Sequence, residues 1–147
     1  MTRVDVHAGA ADKLQFACRL LRKSQAVGAR VVVGGDAGTL DRLDVALWTF
    51  DALSFLPHAR VRAGTASPPM STERAPVWLA DEPLRCAHRD VLLNLGPELV
   101  EGWEAFARVI DVVQAGEPDT GWGRRRWRAY GERPGVERVH HAVKEDA

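Results

Sequence analysis

Apolar positions along the chain follow two spacings, and their alternation lays out the elements. Arg3 to His7 alternates polar and apolar residues, the period of a half-buried strand. Ala10 to Val27 predicts a helix, with Leu14, Cys18, Leu21 and Gln25 on or near one stripe and Gly28 ending it. Arg30 to Val33 is a valine-rich strand, followed by a Gly34-Gly35 turn. Asp36 or Thr39 can cap the next helix, in which Leu40, Leu43 and Leu47 recur at helical spacing as far as about Trp48. Trp48 and, seven residues on, Phe55 place two large aromatics at the helix exit, before Pro57. Proline disfavours helical geometry at Leu56 and ends the run.

The second half repeats the pattern. Ala63 to Ala75, rich in Gly, Pro, Ser and Thr, reads as a loop. Val77 to Ala80 and Asp90 to Leu95 are short apolar strands, and Pro97 opens a turn or short helix near Glu98 to Phe106. Val109 to Val113 is a further buried strand, and residues 120 to 131 form a last helix despite two early glycines. Strands that alternate with helices predict an α/β fold with a mainly parallel sheet. No repeat or long linker divides the chain. Residues 1–135 are expected to form a single α/β domain, with 136–147 as a polar, mobile tail.

Composition narrows the function. A chain of 147 residues that is 46% hydrophobic can build a core of ordinary size. Twenty basic residues balance twenty acidic ones, which argues against a protein that coats nucleic acid over its whole surface but leaves room for a local basic patch. Cys18 and Cys86 lie far apart without metal-like spacing and read as inert thiols. The N-terminus lacks a basic stretch followed by an apolar run, and no segment approaches the roughly 20 apolar residues of a membrane span. A soluble, cytoplasmic protein is expected.

Catalytic motifs are missing where they would be looked for. Gly34-Gly35-Asp36-Ala37-Gly38 follows a strand and precedes a helix, the place where α/β proteins hold phosphates. Its spacing is not GxGxxG, no Gly-Lys-Ser/Thr follows, and Asp36 would repel a phosphate. His58, His88, Asp90 and Asp44 are the acid–base candidates, but none falls in a nucleophile motif. Asp90 can cap its strand or pair with Arg89. His140-His141 lacks the further ligands a metal needs. No catalytic residue, cofactor or metal is therefore expected.

The segment Trp122 to Tyr130 is different. Four arginines, Arg124, Arg125, Arg126 and Arg128, fall within five positions. On a helix Arg124, Trp127 and Arg128 share one face at i, i+3 and i+4. The face is either a solvated amphipathic surface with Trp127 packed inward, or a guanidinium-and-aromatic patch for an acidic ligand with an apolar end. Arginine suits the second role because its planar fork holds a carboxylate through two hydrogen bonds. Single-stranded nucleic acid is a rival ligand, since bases also stack on aromatics.

Four pieces of the chain, in order, resemble the chi subunit of bacterial DNA polymerase III. They are Leu43-Asp-x-Ala-Leu-Trp48 with Ser54-Phe55-x-Pro57-His58, then Pro76-Val77-Trp78-Leu79, then Arg89 to Leu95, then Arg124 to Tyr130. The resemblance covers roughly Val4 to Arg133 and does not extend to Val136 to Ala147. It implies a Rossmann-like three-layer α/β/α sandwich that binds no dinucleotide. It implies a non-catalytic accessory subunit of the polymerase holoenzyme that tethers the clamp loader to coated single-stranded template. Carried over, the pocket for the acidic C-terminal tail of single-stranded DNA-binding protein falls on Val113, Arg124, Trp127 and Arg128. A further basic family position falls on the uncharged Thr120, for which Arg125 or Arg126 could substitute. The surface for the psi subunit, or for a helicase-like alternative partner, falls on Trp48, Phe55, Pro57 and His58. Contact with DNA would be weak or indirect. The alternative is a stand-alone α/β enzyme or nucleotide-binding domain.

Overall fold

The computed structural model describes residues 2–50, 56–64 and 74–144. Seven strands form one sheet: β1 (Thr2–Ala10), β2 (Val31–Gly34), β3 (His58–Val61), β4 (Val77–Ala80), β5 (Val91–Asn94), β6 (Arg108–Gln114) and β7 (Val136–Ala142). The order across the sheet is β3-β4-β2-β5-β6-β1-β7, and every neighbouring pair is parallel. Three helices complete the α/β fold: α1 (Lys13–Ala26), α2 (Ala37–Thr49) and α3 (Asp119–Gly131). None of the helices among the described residues is long and apolar enough to cross a membrane.

Alternation along the strands creates two apolar faces, each covered by its own layer. Val31 and Val33, Val77 and Leu79, Leu93 and Leu95, and Ile110 and Val112 meet Ala17, Cys18 and Leu21 of α1 and Leu40, Leu43 and Leu47 of α2. Val4 and Val6, Val32, Trp78, Leu92 and Val109 look the other way, onto Trp103, Phe106 and Tyr130 of α3. The result is a three-layer α/β/α sandwich. Cys18 and Cys86 are buried free thiols in these two cores. Burial pushes the Cys18 thiol up to about 11, so little of it is thiolate near neutral pH.

Several boundaries differ from the sequence reading. β1 runs on to Ala10, and α1 starts only at Lys13, where the Asp12 side chain accepts from the Gln15 N–H. Between Glu98 and Phe106 the only helix is the single 3-10 turn Trp103–Ala105, while Pro83–Arg85 forms another that the pattern did not announce. His58 opens β3. The expectation of a mobile tail from residue 136 is corrected over Val136–Ala142, which is the edge strand β7, paired residue by residue with β1 from Thr2↔Val136 to Ala8↔Ala142.

Candidate functional site

Helix α3 is tied down at both ends and in the middle. At its start, Asp119 Oδ2 accepts from the backbone N–H of Gln114 at 2.6 Å, and Oδ1 accepts from Lys13 Nζ at 3.1 Å, joining α3 to the ends of β6 and the start of α1. One turn on, Gly123 rests on β6 so closely that a Cβ there would lie 2.6 Å from Val113 Cγ2. Val113 is consequently 4% exposed and forms the floor beneath the helix, with no open surface of its own.

The central anchor is ionic. Arg126 donates to Asp111 from Nε at 2.8 Å and from Nη2 at 2.9 Å, a bidentate fork, and from Nη1 to the Pro97 carbonyl at 2.9 Å. The Tyr130 hydroxyl donates to Asp111 Oδ2 at 2.6 Å. The paired side chains are only 3% and 1% exposed. Burial works against the Arg126 charge, but the Asp111 carboxylate outweighs it and holds the guanidinium above its ordinary value. Burial and the neighbouring Asp111 charge push the Tyr130 phenol well up. Arg126 therefore cannot replace the basic position missing at Thr120. Arg125, exposed beside a shallow cavity of about 300 Å³ shared with Trp122 and Leu99, is the arginine still available. The inward phase of Arg126 is readable once Gly123, Arg126 and Tyr130 are set on one stripe, facing the lone acid of the buried run Val109 to Val113.

What remains on the outer face is cationic and aromatic. Arg124 and Arg128 are exposed, and among the described residues neither has a carboxylate within ion-pair distance. Trp127 is half-buried, with its inner side against the second core. Two β7 residues meet its ring. Arg138 lies over it with Cζ 4.3 Å from the centroid, and His140 stands edge-on at 6.0 Å. Neither is among the site residues the sequence points to, because a polar tail from residue 136 gives them no place beside α3.

A second exposed apolar surface lies on α2. Trp48 is 58% exposed, and Val45, which the sequence reading passed over, is 63% exposed three residues earlier on the same face. The Trp48 ring stands 4.9 Å from that of His58. His58 itself is turned inward. Its Nε2 lies 2.9 Å from Asp44 Oδ1 and its Nδ1 2.8 Å from the Leu56 carbonyl, with its side chain 1% exposed. His58 thus fastens β3 to α2 and backs the Trp48 ring. Pro57 is half-buried beside it, and Phe55 lies outside the described residues.

The acid–base candidates are not brought together. Asp44 is engaged with His58. Asp90 pairs with Arg30 at 3.1 Å, not with Arg89, whose guanidinium donates to the carbonyls of Leu84, Cys86 and His88. His88 is buried, and desolvation, helped by Arg30, lowers its basicity. His140 and His141 point to opposite faces of β7. His140 meets Trp127, whereas His141 Nε2 reaches Asp5 Oδ1 at 2.8 Å and its ring stacks on His7 at 4.5 Å. Adjacent strand residues cannot converge on one ion. Among the described residues no group of three His, Cys, Asp or Glu side chains is arranged to hold a metal.

The glycine turn is packed and capped. A Cβ on Gly96 would lie 2.8 Å from Gly35 Cα, so the two loops touch through backbone. Asp36 caps α2, accepting from the Thr39 N–H at 3.2 Å and the Thr39 hydroxyl at 2.8 Å. A carboxylate thus occupies the end of α2 where a phosphate would sit.

The chain is thus an α/β/α sandwich with a capped glycine turn and an aromatic side chain at the surface of each of two helices, Trp127 on α3 and Trp48 on α2. The profile of the family described as "DNA polymerase III chi subunit, HolC" matches residues 1–137. Over 118 residues the chain is 32% identical to the DNA polymerase III subunit chi of Pseudomonas aeruginosa, covering 77% of this chain and 78% of that protein. It is 30% identical over 118 residues to the subunit of the same name from Escherichia coli (strain K12), covering 79% and 76%. The chain belongs to the DNA polymerase III chi subunit family, and so is an accessory component of the replicative polymerase with no catalytic role of its own.

Proposed function

We propose that this protein bridges two partners, binding the acidic C-terminal tail of single-stranded DNA-binding protein on α3 and the psi subunit of the clamp loader on the exit of α2. The observation that carries the reading is the outer face of α3, where Arg124 and Arg128 flank Trp127 with no carboxylate among the described residues within ion-pair distance of them. Val113 supports the helix from beneath, and Arg125 adds a further exposed cation on α3. A peptide with acidic residues and an apolar end matches the charge and the indole together. On α2, Trp48 and Val45 expose an apolar face, and Trp48, Phe55, Pro57 and His58 are the positions that the resemblance assigns to psi or to a helicase-like alternative. A replication subunit of this kind works in the cytoplasm and meets DNA indirectly, through the coated template.

The experiment is a separation of the two surfaces. Trp127→Ala should lose the tail peptide and keep psi, whereas Trp48→Ala should do the reverse. The anchors stand on different helices of different layers, and interface energy concentrates in a few such anchors. Loss of both partners in either variant, with the fold intact by circular dichroism, would reject the two-surface reading.

A further inference from the structure

We propose that Arg138 of β7 is a third guanidinium of the acidic-peptide site, so that the ligand is held between α3 and the edge strand rather than by α3 alone. The inference rests on the tail-binding reading of α3. It concerns a residue just past the stretch that the family profile matches, residues 1–137.

Three contacts fix this side chain. Its guanidinium lies over the Trp127 ring at 4.3 Å. Its Nη1 donates to the Trp127 backbone carbonyl at 2.9 Å. It also occupies the space left by Gly131, where a Cβ would meet its Cζ at 2.5 Å. An exposed arginine is ordinarily mobile and loses much rotamer freedom when it binds; one already stacked and anchored loses less.

Its charge, like those of Arg124 and Arg128, has no carboxylate partner among the described residues, unlike several other arginines. Arg30, Arg60, Arg62, Arg108 and Arg126 each hold an aspartate. Among the described residues no carboxylate lies within ion-pair distance of Arg138, and its neighbour Glu137 points to the opposite face of the strand. A stacked guanidinium with one protein acceptor keeps its remaining N–H donors for a ligand. It adds to the positive field of Arg124 and Arg128 around the same indole. The ligand chemistry that fits is a peptide bearing at least two carboxylates next to an apolar side chain.

The competing role is a cover. Arg138 would then shield Trp127 and be pushed aside by the ligand, and its removal would leave affinity unchanged or improve it. The test is fluorescence anisotropy with a labelled peptide of the last residues of single-stranded DNA-binding protein, on the full chain, at several salt concentrations. Arg138→Ala should weaken binding about tenfold, the scale of one charge-assisted contact, and make its salt dependence shallower. Gly131→Ala should displace the guanidinium and weaken binding in the same direction. Its melting temperature should hold, because alanine favours a helix over glycine. Unchanged or tighter binding by Arg138→Ala, while Trp127→Ala abolishes it, overturns the role of Arg138 and leaves the α3 site standing. No binding by the wild-type protein overturns both.

Discussion

Asp111→Ala is the substitution that most severely tests how α3 is held. It removes the bidentate partner of Arg126 and the acceptor of the Tyr130 hydroxyl at once. Arg126 is left 3% exposed, with only the Pro97 carbonyl. A guanidinium does not shed its proton, so the charge stays buried and unpaired at any accessible pH. Breaking a buried pair in this way costs about 3–5 kcal/mol. For a domain of this size, that corresponds to a fall in melting temperature of roughly 10–15 °C. Arg126→Met removes the charge and should be partly tolerated when Asp111 is also gone, since apolar replacements of a whole buried pair are often near neutral. The double variant should therefore lose less than the two singles combined, by at least about 2 kcal/mol in urea unfolding. Arg125→Ala, one residue away on the exposed face, should stay within about 0.5 kcal/mol of the parent. Additive losses, or an Asp111→Ala protein within about 1 kcal/mol of the parent, would refute the anchoring role of the triad.

Trp48→Ala should change stability by less than about 1 kcal/mol, because the side chain is mostly exposed, yet weaken psi binding by about 2 kcal/mol or more in titration calorimetry. Asp5 supplies a pH signature. Burial alone would raise its carboxyl, but hydrogen bonds from His141, Arg3 and Arg108 prevail and hold it at about 2, below its ordinary 3.8. That contribution, about 2 kcal/mol, is fully present above pH ~4 and is lost as pH falls toward ~2. Asp5→Asn should lower stability at neutral pH and lose less between pH 4 and 2 than the parent does; parallel pH curves in urea titrations would contradict this. Naked single-stranded DNA should bind weakly and fade with added salt, given zero net charge and one small basic face; tight binding at physiological salt would favour a nucleic-acid reading.

Much of this architecture was legible because each β–α–β step carries its own local pattern. The valine run of β2, the Asp36 cap and the leucine stripe of α2 lie within 20 residues of one another, and their spacing alone predicts strand, turn and helix. β7 was not legible for the opposite reason. Val136 to Ala142 carries charges and histidines, as an edge strand does, and its partner β1 lies at the other end of the chain. Missing β7 meant missing Arg138 and His140 as neighbours of Trp127. Within α3, Arg124 to Arg128 look alike in sequence. Only the helix phase relative to Asp111 sends Arg126 inward and leaves Arg124 and Arg128 outside. His58 illustrates the limit at the second surface, where the resemblance places a contact residue but Asp44 draws the side chain inward.

Bridging depends first on the acidic tail. The most direct measurement captures the purified chain on single-stranded DNA coated with single-stranded DNA-binding protein, with the coat either intact or lacking its last acidic residues. Bridging through the tail predicts stable retention on the intact coat, and loss of retention both on the truncated coat and for Trp127→Ala on the intact one. Equal retention on both coats, undisturbed by Trp127→Ala, would contradict it.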